Sequence, residues 1–140
     1  MSFLLDTAVV SELVRKNPSA AVLKWVDGQD EASFYLSVLT IGELEKGVAR
    51  LPASVRRSRL QSWVRRDLVE RFGGRLLPID TRTAARWGAI AGESEKRGRP
   101  LPVIDCLIAA TALVHGLAVV TRNVGDFERC GANCVNPWDE

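Results

Sequence analysis

Residues 1–13 of this 140-residue chain read MSFLLDTAVVSEL, and they show how the fold begins. A short apolar run, Phe3–Leu5, leads directly into the carboxylate of Asp6, and a helical pattern starts after Thr7. An acid at the end of a buried element has two interpretations. It is either the N-cap of the following helix or one oxygen ligand of a metal site. The rest of the sequence is needed to choose between them.

Five short apolar runs are typical of β-strands, and they alternate with segments whose apolar residues recur at three- and four-residue spacing. The predicted strands are Phe3–Leu5, Ser33–Ser37, Leu76–Ile79, Ala118–Thr121 and Asn133–Val135. The predicted helices are Val9–Arg15, Ala20–Gln29, Ile41–Leu51, Leu60–Phe72, Ala84–Ala91 and Val103–His115. This alternation predicts crossover connections and a mainly parallel sheet. At this length we expect one domain over residues 1–140.

The composition is that of an ordinary globular protein, because hydrophobic residues make up 46% and charged residues 26% of the chain. No apolar stretch approaches the roughly 20 residues that span a bilayer, and no secretory signal is visible. An odd number of cysteines argues against a disulfide framework and fits a reducing compartment. The single histidine, His115, leaves Cys130 and Cys134 without enough partners for a zinc site. We therefore expect a cytoplasmic protein with no membrane partner.

Seven arginines occur in the segment VRRSRLQSWVRRDLVERFGGR, residues 55–75. Such a segment is typical of the solvated face of an amphipathic helix. It is also compatible with an electrostatic surface for RNA or for an acidic segment of a partner protein. The net charge of the whole chain, +2, does not by itself require a nucleic acid. Both interpretations stay open at this level.

Several acids follow predicted strands, which is where ligand sites lie in open parallel sheets. Asp6 has this position, and so does the segment TRNVGDF, which contains Asn123 and Asp126. Asp80 also follows a predicted strand, but Thr81 after it begins a helix, so Asp80 is predicted to be a helix cap. The other three residues are candidates for a shared site.

The helical segment VIDCLIAATALVH, residues 103–115, is apolar nearly all the way round and is therefore expected to be buried. Asp105 is its only charged residue before the end, and an unpaired buried carboxylate is costly. A cap interaction at the helix start, an arginine partner or a metal ion would each remove that cost. A lone acid on such a helix makes Asp105 a further candidate.

The segment TIGELEKG, residues 40–47, contains two acids, Glu43 and Glu45. On a helical wheel, Glu45 lies nearer than Glu43 to the apolar stripe that begins at Ile41. Gly47, one turn beyond Glu43, would let another backbone approach on that side. The helical pattern alone leaves the choice open. A pocket that gathers such acids is suited to Mg²⁺, which takes oxygen ligands, and such ions activate water and stabilise a phosphate in transit.

Taken in order, four motifs resemble those of the PIN-domain ribonucleases, and specifically the FitB-like branch of the VapC toxins. The motifs are LLDTAVVSEL, TIGELEKG, LPVIDCLIAATA and VVTRNVGDF. The residues they select are Asp6, Glu43 rather than Glu45, Asp105, Thr121, Asn123 and Asp126. The resemblance runs from LLDT near the N-terminus to NPW near the C-terminus, nearly the whole chain. Any one motif alone is weak, whereas four in this order are specific.

The resemblance implies an α/β fold, a PIN-like three-layer sandwich in which helices flank a small parallel β-sheet. It implies one pocket that binds Mg²⁺ or Mn²⁺ through Asp6, Glu43, Asp105 and Asp126, with Thr7, Thr121 and Asn123 orienting ligands or water. The implied activity is a metal-dependent endoribonuclease that hydrolyses RNA phosphodiester bonds as the toxin of a toxin–antitoxin pair. The expected partners are an RNA substrate, a DNA-binding antitoxin, and a second copy of the chain in a homodimer.

Two other interpretations stay open. Many relatives carry Asn two residues after the first acid, where this chain has Ala8. The missing amide and the FitB-like resemblance are compatible with a weakly or non-catalytic subunit that regulates a DNA-binding antitoxin. A phosphoryl-transfer enzyme with Asp6 as nucleophile fits less well. One such class needs an aspartate at position 8, and another needs a lysine where Arg122 follows Thr121.

Overall fold

The sheet and its surrounding helices are described for residues 1–139 by a computed structural model. Five strands form one sheet: β1 (Phe3–Leu5), β2 (Phe34–Ser37), β3 (Leu76–Leu77), β4 (Ala118–Val120) and β5 (Cys134–Val135). Their spatial order is β3-β2-β1-β4-β5, and every neighbouring pair is parallel. All five predicted strands are present, within one or two residues of their predicted limits. β3 ends at Leu77 because Pro78 has no N–H for the ladder.

Eight α-helices lie in the described part of the chain. They are α1 (Thr7–Leu13), α2 (Ala20–Asp27), α3 (Val38–Ala49), α4 (Val55–Ser62), α5 (Val69–Phe72), α6 (Thr81–Lys96), α7 (Val103–His115) and α8 (Val124–Arg129). A π-helical segment, Trp63–Leu68, joins α4 to α5, so the predicted helix Leu60–Phe72 is three consecutive pieces. The apolar pattern did not reveal α8, because six residues are too few to show a helical period. Within residues 1–139, none of the helices has the length and apolar content to cross a membrane.

A side chain caps three of the helices that follow a strand. Asp6 Oδ1 accepts a 2.8 Å hydrogen bond from Thr7 N at the start of α1. Ser37 caps α3 in the same way. Asp80 Oδ1 accepts a 2.9 Å hydrogen bond from Thr83 N at the start of α6, which confirms its predicted role. Each cap satisfies an N–H that the first helical turn leaves without a partner.

The two faces of the sheet carry separate apolar clusters, because successive side chains of a strand point to opposite faces. On β1, Phe3 and Leu5 pack against apolar residues of α1, α2 and α5. Leu4 points to the other face and packs against α7 and α8. Phe127 of α8 is fully buried there. The expected sandwich, with helices on both faces of a parallel sheet, is confirmed.

Part of the arginine-rich segment has a structural role. Arg65 Nη2 lies 3.1 Å from Glu45 Oε2 on α3, and Arg71 pairs with Glu31. Arg75 donates a 2.7 Å hydrogen bond to the backbone oxygen of Glu31. These contacts tie the π-helical segment and α5 to α3 and to the loop before β2. The other arginines of the segment form no ion pair within the described residues.

Candidate active site

The central strands β1 and β4 bring Asp6 and Thr121 together at the carboxyl edge of the sheet. Leu5 and Val120 are partners in the parallel register, so the residues that follow them leave the sheet side by side. Asp6 N donates a 2.9 Å hydrogen bond to Val120 O, and Thr121 Oγ1 donates one of 2.8 Å to Asp6 Oδ2. Thr121 is fully buried and Asp6 is 7% exposed, so the contact is shielded from water.

Asp6 has a raised pKa because burial disfavours its charged form. The pKa is raised from 3.8 to about 6. Burial is the largest cause, the hydrogen bonds from Thr121 and Thr7 oppose it, and the carboxylates of Asp105 and Glu43 add to it. At neutral pH this side chain is therefore ionised in surroundings that disfavour its charge. A bound cation would relieve that cost.

Thr7, the first residue of α1, connects Asp6 to Glu43 on α3. Its hydroxyl donates a 2.6 Å hydrogen bond to Glu43 Oε1, while its N–H donates to Asp6. The same hydroxyl lies 3.2 Å from Oγ1 of Thr40, which is fully buried one turn before Glu43. Glu45 points elsewhere, into its ion pair with the π-helical segment. The structure therefore places Glu43, and not Glu45, beside Asp6.

Asn123 connects the remaining two acids to Thr121. Its backbone N–H donates a 2.9 Å hydrogen bond to Thr121 Oγ1, which fixes the loop after β4. Its side-chain Nδ2 donates a 2.6 Å hydrogen bond to Asp126 Oδ2 and lies 3.4 Å from Asp105 Oδ2. Asp126 also forms an ion pair with Arg129, one turn further along α8.

The pKa values of the two acids beside Asn123 are shifted in opposite directions. Partial burial, followed by the neighbouring carboxylates, raises the pKa of Asp105. The hydrogen bond from Asn123, followed by the Arg129 guanidinium, lowers the pKa of Asp126. The surroundings of Asp105 therefore disfavour its charge, as those of Asp6 do.

These contacts form one continuous hydrogen-bond network across β1, β4 and the helices that follow the sheet. Its members are Glu43, Thr7, Asp6, Thr121, Asn123, Asp105 and Asp126. The six residues that the sequence motifs select are brought together, and so is Thr7, which the resemblance implies. Two further members, Thr40 and Arg129, were not predicted. Each lies three residues from an acid on the same helix, a spacing that puts both side chains on one face.

The acidic side chains supply oxygen ligands for a divalent cation. They do not form the predicted four-acid arrangement around one ion. No group of three or more His, Cys, Asp or Glu side chains in residues 1–139 could hold an ion as the side chains stand. Asp126 is held by its hydrogen bond from Asn123 and its ion pair with Arg129. Glu43 is held by its hydrogen bond from Thr7. The available donors are oxygens, which are the ligands that Mg²⁺ and Mn²⁺ prefer.

The thiols behind the site do not fit a zinc ion. Burial raises the pKa of Cys130 to about 12 and that of Cys134 to about 11. Zinc binds thiolates, and thiols that hold their protons this strongly make poor ligands. His115 lies exposed at the other end of α7. The chemistry of the donor set therefore favours a hard cation.

A parallel sheet with a network of acids at its carboxyl edge is the arrangement expected of a PIN domain, and the profile of that domain matches residues 3–132. The chain belongs to the PIN-domain family, in the branch of the VapC ribonucleases and the FitB toxin. It is 37% identical to the VapC ribonuclease Y4jK of Sinorhizobium fredii, over 97% of each chain. It is 36% identical to the toxin FitB of Neisseria gonorrhoeae, over 98% of this chain and 99% of that one.

A solved structure of FitAB bound to an IR36 DNA fragment contains a chain similar to this one. The TM-score is 0.90 and the identity 34%, over 97% of this chain and 95% of the other. The predicted resemblance to the FitB-like branch is confirmed. Membership of this family argues against the alternative in which Asp6 accepts a phosphoryl group.

Proposed function

We propose that this protein is the toxin of a toxin–antitoxin pair and acts in the cytoplasm as a divalent-metal endoribonuclease, with residues 1–140 as a single domain. The observation that carries the proposal is the hydrogen-bond network that joins Asp6, Glu43, Asp105 and Asp126 at the edge of the sheet. The ribonuclease names of VapC relatives that span nearly the whole chain support it.

In the proposed site, Asp6 and Asp105 hold the principal Mg²⁺ or Mn²⁺, and Glu43 and Asp126 complete the site or form a weaker second one. A bound ion would activate a water molecule and stabilise the charge that develops on the phosphate. The protein's part is to position the acids. Thr121 orients Asp6 through its 2.8 Å hydrogen bond.

Two positioning contacts act on the outer acids. Thr7 holds Glu43, and Asn123 holds Asp126. A divalent cation would compete with these contacts for the carboxylate oxygens, so a four-acid arrangement is compatible with the present side-chain positions. Asp126 would become available to such an ion if the half-exposed Arg129 side chain turned towards solvent.

The test of this function is cleavage of RNA by purified, partner-free protein in Mn²⁺. We expect the wild type to cleave, and Asp105→Asn to lose cleavage while it keeps its fold, because Asn has the shape of Asp but not the charge that a hard cation needs. Glu45→Gln is the matched control, since it removes a carboxylate outside the network. Sequencing the RNA ends after brief expression, with Asp6→Asn as the silent control, would identify the substrate. Full cleavage by folded Asp105→Asn protein would refute the assignment.

We propose a homodimer formed around an exposed apolar patch next to the site. Val38, Val103 and Ile104 are 37%, 57% and 37% exposed, and they lie at the first turns of α3 and α7. Val38 and Ile104 line one cavity together with Glu43. Exposed apolar clusters of this kind mark contact surfaces, and a dimer here would place two sets of acids near a common groove.

The antitoxin is proposed to occupy the groove on the other side of Glu43. That groove is lined by apolar residues of α3, α4 and the π-helical segment, among them Leu44, Val48 and Trp63, and it reaches Thr7 and Glu43. A peptide seated there would cover the acids and silence them. Failure to bind the product of a small adjacent reading frame would count against the toxin–antitoxin role.

A second candidate is a weakly catalytic subunit whose main role is to regulate a DNA-binding partner. Ala8, exposed on the first turn of α1, supports it, because it supplies no amide beside Asp6. The FitAB complex on DNA supports it as well. Partner-free protein that cleaves no RNA in Mn²⁺, yet binds its antitoxin and operator DNA, would favour this candidate over the first.

A further inference from the structure

Three arginines from the ends of two helices line a cleft outside the acid cluster. The cleft has a volume of about 360 Å³ and is lined by Ser94, Arg97, Arg99, Leu101 and Arg129. Arg97 is the C-cap of α6, Arg99 follows two residues later, and Arg129 lies in the last turn of α8. None of the lining residues is acidic, so the cleft concentrates positive charge.

A tight turn fixes the backbone that carries Arg97 and Arg99. Gly98 has a φ of +74°, which glycine adopts without strain. Gly98 N donates a 2.9 Å hydrogen bond to Glu95 O, and Arg99 N donates one of 2.8 Å to Ser94 O, as in a Schellman motif. The two side chains therefore leave a fixed backbone, which lowers the entropy that a ligand has to remove on binding.

Helix dipoles account for part of this charge, because cations are favoured at helix C-termini. They do not account for Arg97 and Arg99 in one cavity, where like charges repel, whereas Arg129 already has Asp126 as its partner. Arg97 and Arg99 form no ion pair with any carboxylate of residues 1–139. An anion in the cleft would remove the repulsion, and guanidinium groups match the oxygens of a phosphate in a bidentate manner.

Arg129 joins the cleft to the acid cluster, because it lines the cleft and also pairs with Asp126. On the other side, Leu101 leads directly into the first turn of α7, which carries Asp105. A nucleic acid with its scissile phosphate at the acids would therefore bring a neighbouring phosphate to the cleft. We infer that this arginine cleft binds a backbone phosphate of the RNA substrate next to the scissile one. The inference rests on the proposed ribonuclease function.

The test measures binding of a fluorescein-labelled single-stranded RNA of mixed sequence by fluorescence anisotropy at several salt concentrations. All proteins carry Asp105→Asn, so that no RNA is cleaved. Arg97→Gln with Arg99→Gln is compared with Arg56→Gln plus Arg59→Gln, which removes the same charge from α4. Loss of this one phosphate contact should weaken binding about tenfold and reduce the slope of log K against log salt by about 0.7. The control pair should change that slope by less than about 0.3.

Three outcomes would overturn the inference. The first is an unchanged slope in the cleft pair, and the second is an equal or larger loss in the α4 pair, which would place the RNA there. The third is weaker binding of the antitoxin with unchanged RNA binding, which would assign the cleft to an acidic segment of that partner. Matching melting curves for both pairs show that no loss comes from unfolding.

Binding and cleavage are measured separately, so the two proposals fail separately. Wild-type protein that cleaves no RNA in Mn²⁺, while the cleft pair still lowers the salt slope, refutes the ribonuclease and leaves the phosphate site standing. Wild-type protein that cleaves RNA, while the cleft pair binds it as before, refutes the phosphate site alone.

Discussion

The hydroxyl of Thr121 donates a 2.8 Å hydrogen bond to Oδ2 of Asp6 across 115 residues of sequence. The bond exists because β1 and β4 are adjacent in the sheet although they are far apart in the chain. Thr121 Oγ1 also accepts a hydrogen bond from Asn123 N, so one buried hydroxyl fixes both the first acid and the loop that leads to Asp126.

Replacing this hydroxyl should impair the site more than the fold. Thr121→Val keeps the shape but leaves Asp6 Oδ2 and Asn123 N without a partner, and it removes a bond that lowers the pKa of Asp6. We expect a loss of roughly 10- to 100-fold in metal affinity or cleavage, as for other residues that orient metal ligands. Metal titration and cleavage assays measure it.

Thr111→Val is the matched control for that change. Thr111 is also fully buried, but its hydroxyl bonds only to Leu107 O within α7, outside the network. Both variants should lose at most about 3 kcal/mol of unfolding free energy. Equal cleavage by the two variants would show that the Thr121 hydroxyl is merely structural.

Substitution of the two glutamates of α3 should affect cleavage very differently. Glu43→Gln removes a charge from the network, and its amide cannot replace a carboxylate ligand of a hard cation. Glu45→Gln breaks an exposed ion pair with Arg65, which contributes about 0–1 kcal/mol. We expect Glu43→Gln to lose most metal-dependent cleavage and Glu45→Gln to keep it. A larger loss at Glu45 would mean that the wrong acid was chosen.

The sequence predicted the sheet well, because its strands are short, apolar and separated by clear helical periods. It could not predict the order of the strands, and the meeting of Asp6 with Thr121 depends on that order. Once β1 and β4 are neighbours, both residues must leave the same edge of the sheet. No pattern within a window of a few residues contains that information.

The helical wheel left the choice between the two glutamates of α3 open for a related reason. Glu45 has its own partner near the apolar stripe, because Arg65, twenty residues later, reaches back to pair with it. Local periodicity does not reveal such a partner, and the resemblance to a family motif was needed to select Glu43. The side-chain positions of Asp126 likewise depend on Asn123 and Arg129, which hold it away from a four-acid arrangement.

Self-association should depend on the apolar patch at the start of α3 and α7. Val38→Glu combined with Val103→Glu places charge on two exposed valines of the patch, and desolvating those charges in an interface is costly. Light scattering at high concentration should then show a monomer where the wild type shows a dimer. Val55→Glu is the control, since Val55 is 67% exposed on α4. A wild type that stays monomeric would refute the dimer.

Stability without metal should fall as pH rises, because of Asp6. Its folded-state pKa, about 6, lies above the ordinary 3.8. Between these values the folded protein binds a proton that the unfolded chain has released, so stability decreases as pH rises through this window and then levels off. Asp6→Asn removes the buried charge. It should therefore be more stable than the wild type at neutral pH by roughly 1–3 kcal/mol, with a flatter pH profile.

Divalent metal should reverse this difference, because it binds the native state and replaces the missing positive charge. Mn²⁺ should raise the melting temperature of the wild type with concentration, by an amount equivalent to about 2.7 kcal/mol at a hundred times Kd. The Asp6→Asn protein should respond much less. Asp80→Asn is the control, because Asp80 lies outside the network. The hydrogen bond from Thr83 N lowers the pKa of Asp80, so the stability that this carboxylate contributes is lost as pH falls. Asp80→Asn should leave the metal response unchanged. If the wild type shows no metal-induced shift and Asp6→Asn melts lower in chelator, then Asp6 is only the N-cap of α1.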